Sequence, residues 1–252
     1  VGAAAMSAAV LLEALATRYM VSSTLGEVLA VEDTENNKLG MRDIWRFYAP
    51  LAMTSVLSMG IHPFVTFFLS RSRLAIESLA VLPVVGSLVF IFRSIGLSYQ
   101  EVNIALLGRG KHNFDILRSF AIGLGTSVTV LITVMAFTPL ADLWFINVSG
   151  LTKELADLSY LPLKIMILLP ALTLVMSFQR STLVLGGTTG PISVSTAIEL
   201  ALIIIVLLIC TAVFNMVGVV AAAISFVVGR MLSTLYLMPF HASVVKGWYS
   251  GK

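Results

Sequence analysis

Apolar residues fall into seven long runs along the chain, separated by polar or glycine-containing connectors. A helix needs about 20 mostly apolar residues to cross a bilayer, and each run is close to or above that length. The pattern therefore predicts an all-α polytopic membrane protein with about seven transmembrane helices. The predicted spans are residues 1–20, 49–69, 74–107, 115–137, 158–179, 192–212 and 217–238.

The third run differs from the others because small and polar residues recur in it at every seventh position. One such row consists of Gly86, Arg93 and Gln100, and the row beside it consists of Ser87, Ser94 and Glu101. Seven residues are nearly two turns of an α-helix, so each row follows one side of the helix. Contact between such polar residues and the lipid hydrocarbon is energetically unfavourable. The two rows together predict a polar face directed at other helices or at a water-filled path.

Composition supports a membrane protein over a soluble one. Apolar residues make up 58% of the chain and charged residues 12%, whereas a soluble domain has about 25% charged residues. Enzyme signatures such as HExxH, CxxC and Gly-x-Ser-x-Gly do not occur, and the GRGK turn at 108–111 lacks the spacing of a phosphate-binding loop. We therefore expect no enzymatic activity, no cofactor, no metal site and no nucleic-acid partner.

The basic residues indicate an orientation. Cytoplasmic connectors of membrane proteins are enriched in Lys and Arg, and here one side receives ten basic residues against three on the other. The larger group places connector 21–40 and the C-terminus in the cytoplasm. The predicted location of the protein is a plasma membrane or a bacterial inner membrane. It contains Arg18, Lys38, Arg42, Arg46, Arg109, Lys111, Arg118, Arg180, Lys246 and Lys252; the smaller contains Arg71, Arg73 and Lys153.

Charges inside spans are costly, so each requires a reason. Glu199 and Arg230 each lie nine residues from the cytoplasmic end of their span, or roughly 13–14 Å deep at 1.5 Å per residue. Because consecutive spans are usually neighbours, we predict an ion pair between them. Such a pair either holds the bundle together statically or has a coupling role.

Arg93 and Lys164 are the candidates for contacting an anionic substrate, from two sides of the bundle. Arg93 lies on the predicted polar face with Ser87 and Ser94, and Lys164 lies about two turns inside its span. The alternative for both is that the long side chain extends to the membrane surface. Glu101 lies near the cytoplasmic boundary, where water reaches it. The predicted substrate or ion pathway thus contains Arg93, Glu101, Lys164, Glu199, Arg230, Ser87, Ser94 and Gln100.

The first and last runs are similar to each other. The twenty residues from Val1 align without gaps on the twenty from Val219, with AAAMS matching AAAIS. If the first run closes one repeat, the six later runs form a second one. Tandem repeats of this kind are typical of secondary transporters.

Three segments resemble the multidrug/oligosaccharidyl-lipid/polysaccharide flippase superfamily, which includes the MATE exporters and is built from two six-helix halves. They are FYAPLAMTSVLSMGIHPFVTFFLSRS (47–72), LLGRGKHNFDILRSF (106–120) and YLPLKIMILLPALTLVMSFQRSTLVLGGTTGPI (160–192). The PLKIMILLPA and ESLAVLPV segments are most similar to the progressive-ankylosis (ANK-like) branch of that superfamily.

The resemblance implies a domain organisation. Residues 1–20 would be the last helix of an N-terminal repeat, 21–48 a cytoplasmic linker with an interfacial lead-in, 49–240 a six-helix C-terminal bundle and 241–252 a cytoplasmic tail. The partner would be a missing N-terminal half of the same protein, or a homodimer mate.

The resemblance also implies a function, which is alternating-access export or flipping coupled to H⁺ or Na⁺. The ANK-like branch and the basic residues favour a small organic or phosphate-bearing anion as substrate. A lipid-linked polysaccharide flippase or a cation-coupled multidrug exporter is the alternative within this class. A non-transporting membrane scaffold subunit is the alternative from another class.

Overall fold

The computed structural model describes residues 2–30, 40–110 and 113–249, and these residues form helices with no β-strand. The helices are α1 (Gly2–Ala30), α2 (Met41–Leu69), α3 (Ala75–Arg109), α4 (Phe114–Phe137), α5 (Leu140–Asp142), α6 (Lys153–Met166), α7 (Leu169–Leu185), α8 (Gly190–Leu208) and α9 (Gly218–Tyr249). Segments Leu143–Val148 and Ile209–Val213 are π-helical. The all-α prediction is confirmed.

The chain divides into two compact units, Val1–Ile44 and Trp45–Lys252. In the first unit α1 continues to Ala30, ten residues beyond its predicted end. The predicted connector 21–40 is therefore helical over its first half, while residues 31–39 lie outside the described part. The predicted interfacial lead-in is also helical, because α2 begins at Met41 and continues into the span.

Six helices of the described chain are long and apolar enough to cross a membrane. They are the six runs predicted to form the second repeat. The spans are Tyr48–Leu69, Ala75–Gly108, Phe114–Phe137, Lys153–Leu185, Gly190–Val213 and Gly218–Trp248. Helix α1, which we counted as the first of about seven, is not among them. The described side chains of α1 are those of residues 7–22 only, so the predicted first span stays a prediction.

Helices α7 and α9 form the centre of the second unit. Helix α7 packs against α3, α4 and α9, and α9 also packs against α6 and α8. Residues Ala221, Ala222, Ala223 and Ser225 of α9 are fully buried, so the small-residue segment AAAIS lies in the core, where it allows other helices to approach closely.

The fifth span is interrupted near its middle. Helix α6 ends at Met166 and α7 begins at Leu169. Pro170 lies in the first turn of α7, where a missing N–H costs nothing because first-turn amides have no partner within the helix. Helix α7 forms the half of this span nearer the predicted cytoplasmic side.

The turn between α2 and α3 is attached to the start of α9. The Gly218 amide donates a hydrogen bond to the Arg73 carbonyl at 3.2 Å, and the Val219 amide donates to Oγ of buried Ser78 at 3.1 Å. Ser78 thus satisfies one of the first-turn amides that a helix leaves without a partner. These bonds fix the α2–α3 turn against α9.

Candidate functional site

The predicted ion pair between Glu199 and Arg230 is present. Oε1 of Glu199 on α8 lies 2.9 Å from Nη2 of Arg230 on α9, with side chains 5% and 14% exposed. Both residues lie well inside candidate membrane spans. A buried carboxylate and guanidinium at this distance form a charge-assisted hydrogen bond that neutralises one charge of each sign.

Two further arginines approach this pair from other helices. Nε of Arg93 on α3 donates to Oγ1 of buried Thr173 at 3.1 Å, and Nη2 of Arg180 on α7 donates to Oγ1 of buried Thr196 at 2.9 Å. Each of these arginines lies within electrostatic range of both Arg230 and Glu199. We call Arg93, Arg180, Arg230 and Glu199 the arginine cluster.

One side of α7 organises the cluster. Thr173, Met176 and Arg180 are spaced three and four residues apart, so their side chains leave the helix on the same side. Thr173 binds Arg93, and Sδ of Met176 accepts a hydrogen bond from Nη1 of Arg230 at 2.9 Å. Helix α7 therefore contributes one arginine and holds two others.

Two glycines bring the helices close enough for these contacts. At Gly96 on α3, an added Cβ would lie 3.1 Å from the backbone nitrogen of Leu174 on α7. At Gly229 on α9, an added Cβ would lie 2.8 Å from Ile203 and 3.2 Å from the Glu199 carbonyl on α8. Each glycine lies within three residues of a cluster arginine, so the helices approach most closely at the same positions along their length as the cluster contacts.

The cluster has an excess of positive charge. It contains three arginines and one carboxylate, a formal charge of +2. Two donors of the cluster, Nε of Arg180 and Nε of Arg230, are buried and have no hydrogen-bond partner within the described structure. Unused donors and unbalanced charge within a membrane span are the properties of an anion-binding site.

The structure divides the predicted polar face of α3. Arg93 and Gln100 are partly buried, beside the packed side of the helix that contains Val85, Gly96 and Tyr99. The second row lies about 100° further round, because each residue advances the helix by that angle. Ser87 and Glu101 are exposed, and the Ser87 and Ser94 hydroxyls donate only to carbonyls of their own helix. The two rows thus have different surroundings, and this part of the structure does not bring Ser87, Ser94 or Glu101 into the arginine cluster.

Lys164 also lies apart from the cluster. Its side chain is exposed on α6, and Nζ lies 5.0 Å from the centre of the Phe137 ring at the end of α4. This is a cation–π contact at the surface of the bundle. The structure thus places Lys164 outside the arginine cluster, and its contact with an anion stays a prediction.

Arg180 is the cluster member that the sequence analysis missed. We counted it among the cytoplasmic residues because the fifth span was expected to end at Gln179, but α7 continues to Leu185 and directs Arg180 at α8. Without Arg180 the basic residues divide nine against three, which leaves the predicted orientation unchanged. The spacing Thr173, Met176, Arg180 continues the helix period past the predicted end and could have revealed it.

No protein-family model, curated protein sequence or solved structure matches this chain. Within the described residues, no group of three or more His, Cys, Asp or Glu side chains is arranged to hold a metal ion. The arginine cluster is the candidate site of the described chain.

Proposed function

We propose that the protein is a secondary active transporter of the flippase superfamily named above, and that it moves a small organic or phosphate-bearing anion by alternating access. The observation that supports this is the arginine cluster, in which four spans contribute three arginines and only one carboxylate. If these charges only stabilised the bundle, equal numbers of arginines and carboxylates would do so at a lower cost, because no positive charge would remain uncompensated.

The energetics favour an anion as the missing counter-charge. An arginine in a membrane span costs about 2.5–3.5 kcal/mol on insertion scales, and Glu199 compensates one of three. Guanidinium groups bind carboxylate and phosphate through paired, charge-assisted hydrogen bonds. The unpartnered Nε atoms of Arg180 and Arg230 are donors of this kind. Bound anion would supply both the charge and the acceptors.

Glu199 provides a means of coupling. An anion that reaches Arg230 competes with the carboxylate already bound there at 2.9 Å. The displaced carboxylate would then take up H⁺ or Na⁺, because an unpaired buried charge is strongly unfavourable. Two helical bundles would rock about this site, with the described six-span bundle as one of them. The other would be an N-terminal half of the same protein or a homodimer mate.

The first experiment is the intact mass of the natively expressed product. The chain weighs 27.1 kDa, and the two-half transporter predicts a polypeptide of about twice that mass. A polypeptide of 27.1 kDa that forms a stable homodimer supports the homodimeric version. A monomer of that mass contradicts both, since one bundle does not enclose a path.

The second experiment measures anion flux after the native protein is reconstituted into liposomes. The labelled probes are inorganic phosphate, glucose 6-phosphate and malate. Arg93→Gln is expected to reduce flux of the transported probe at least tenfold, because it removes one of the cluster cations. Arg71→Gln is the matched control, since Arg71 is exposed and lies over the Phe67 ring outside the cluster.

The alternatives give different results in the same liposomes. A cation-coupled multidrug exporter moves an organic cation such as ethidium and none of the anions. A lipid-linked glycan flippase moves a fluorescent polyprenyl-phosphate glycan between leaflets. A scaffold subunit moves none of these probes, and Arg93→Gln then leaves its membrane assembly intact. Anion flux that is equal in Arg93→Gln and Arg71→Gln would refute the assignment of the site.

The proposed location is the plasma membrane or a bacterial inner membrane. The nine-to-three distribution of basic residues supports a cytoplasmic position for connector 21–40 and the C-terminus. Protease accessibility of the C-terminus in sealed, right-side-out vesicles tests this orientation, because a cytoplasmic tail is protected until the vesicles are opened.

A further inference from the structure

A cavity lies between α4, α7 and α9, and none of the arginine-cluster residues lines it. Its volume is about 840 Å³, within the range of pockets that hold organic ligands. Apolar side chains form most of its wall, among them Ile122, Leu174 and Val175, and several of these are exposed at the bundle surface. We call this cavity the α4–α7–α9 groove.

The basic residues of the groove are all at one end. Arg118 lies in the second turn of α4, while His241 and Lys246 lie in the last third of α9, which is antiparallel to α4. None of the lining residues in the described structure is acidic. Nδ1 of His241 is buried and has no hydrogen-bond partner among the described residues. This end lies on the side where the positive-inside rule places the cytoplasm.

The dimensions of the groove match half a bilayer. Its lining runs along α4 from Phe114 to Val130, and the part from the basic residue Arg118 to Val130 covers twelve residues, or roughly 18 Å of helix. One leaflet of the hydrocarbon core is about 15 Å thick. An apolar channel of that depth with a basic opening fits an acyl chain below a negatively charged headgroup.

We propose that the α4–α7–α9 groove binds an anionic glycerophospholipid from the cytoplasmic leaflet. Its phosphate lies between Arg118 and Lys246, where it accepts a hydrogen bond from His241, and one acyl chain follows α4 towards Val130. Basic pockets between membrane helices on the cytoplasmic side recognise lipid headgroups in this way. The site is independent of the anion transport proposed above, because it contains none of the arginine cluster.

Photolabelling tests the headgroup end. The native protein is placed in phosphatidylcholine nanodiscs that contain either phosphatidylglycerol or phosphatidylcholine with a diazirine in the acyl chain. We expect phosphatidylglycerol to label the groove residues of α4, α7 and α9 preferentially. Neutralising Arg118 and Lys246 as Arg118→Gln/Lys246→Gln should reduce that preference roughly 30-fold, at about fivefold per basic side chain near the surface.

Two controls make the result specific. Arg71→Gln/Arg73→Gln removes the same charge at the opposite membrane surface, and it should leave the preference unchanged. Gly125→Leu fills the groove, because an added Cβ there lies 3.9 Å from Leu174, whereas Gly123 has nothing within 4 Å and does not line the groove. Gly125→Leu should abolish labelling in the groove by both lipids, and Gly123→Leu should not.

Three outcomes would overturn the proposal. Equal labelling by the two lipids excludes recognition of the headgroup. Labelled residues outside α4, α7 and α9 exclude the groove as the site. Loss of phosphatidylglycerol labelling on addition of millimolar glycerol 3-phosphate would mean that the basic end binds a soluble anion instead of a lipid.

Discussion

Replacing Glu199 by Gln should destabilise the protein more than replacing any single arginine of the cluster. Glu199→Gln leaves three arginines without a carboxylate, whereas Arg230→Gln leaves Glu199 with Arg93 and Arg180 still in electrostatic range. In formal charge the cluster changes from +2 to +3 in the first variant and to +1 in the second. The double variant Glu199→Gln/Arg230→Gln returns it to +2.

The magnitude follows from the separation of the pair. Unit charges 2.9 Å apart attract by about 6 kcal/mol at an effective dielectric constant of 20, and the desolvation of both groups opposes this gain. Removing one partner of a buried pair typically costs 3–5 kcal/mol, since the other charge remains buried. We therefore expect Glu199→Gln to lose about 4 kcal/mol, and the double variant to lose less than Glu199→Gln.

The assay is thermal unfolding of the purified native protein in detergent micelles. A loss of about 4 kcal/mol corresponds to a decrease in Tm of roughly 8–16 °C for a domain of this size. The control is Glu101→Gln, because Glu101 is an exposed carboxylate in another span and should change Tm by less than 2 °C, as exposed substitutions usually do.

Two results would refute this reasoning. If Glu199→Gln melts at the same temperature as Glu101→Gln, the ion pair does not compensate the cluster arginines. If Arg230→Gln is the more destabilised variant, Glu199 is not the shared counter-charge of three arginines but the partner of Arg230 alone.

Two further predictions concern helix packing and are measured by the same melting assay. Gly96→Ala should destabilise the protein by about 1–3 kcal/mol, because its Cβ would lie 3.1 Å from the α7 backbone. The control Gly86→Ala should not, because an added Cβ there has nothing within 4 Å. Equal Tm values for the two variants would contradict the close approach at Gly96. Ser78→Ala should cost about 1–3 kcal/mol because it leaves the buried Val219 amide without its acceptor. Ser87→Ala removes only a bond within its own helix, and a Ser78→Ala variant as stable as this control would contradict the capping role.

The partners of the cluster arginines connect the stability predictions with the proposed transport. When an anion-binding site is empty, its buried cations must still be tolerated inside the membrane. Glu199 compensates part of this positive charge through its ion pair with Arg230. The threonines at positions 173 and 196 hold Arg93 and Arg180 in place without neutralising them. Neutral hydrogen-bond partners thus preserve the charge that a substrate would need.

The order of the spans and one of the site contacts could be predicted from the sequence. Bilayer thickness fixes the length of a spanning helix, so apolar run length alone predicted the six spans of the bundle. The Glu199–Arg230 pair was predictable because consecutive antiparallel helices place residues of equal depth side by side, and a buried charge requires a partner.

The other contacts of the arginine cluster could be recognised only from the tertiary structure. A seven-residue period shows which residues share one side of α3, but only packing between helices decides which side faces α7. The close approach of α3 to α7 at Gly96 directs the row of Arg93 inward and leaves Ser87 and Glu101 exposed. Arg180 was misplaced because the polarity of its segment resembles a helix end, whereas Thr196 on α8 supplies the hydrogen bond that holds it inside. Sequence patterns determine depth in the membrane, because depth depends on hydrophobicity along one helix. Contacts between helices determine the site, because they depend on rotation about each helix axis.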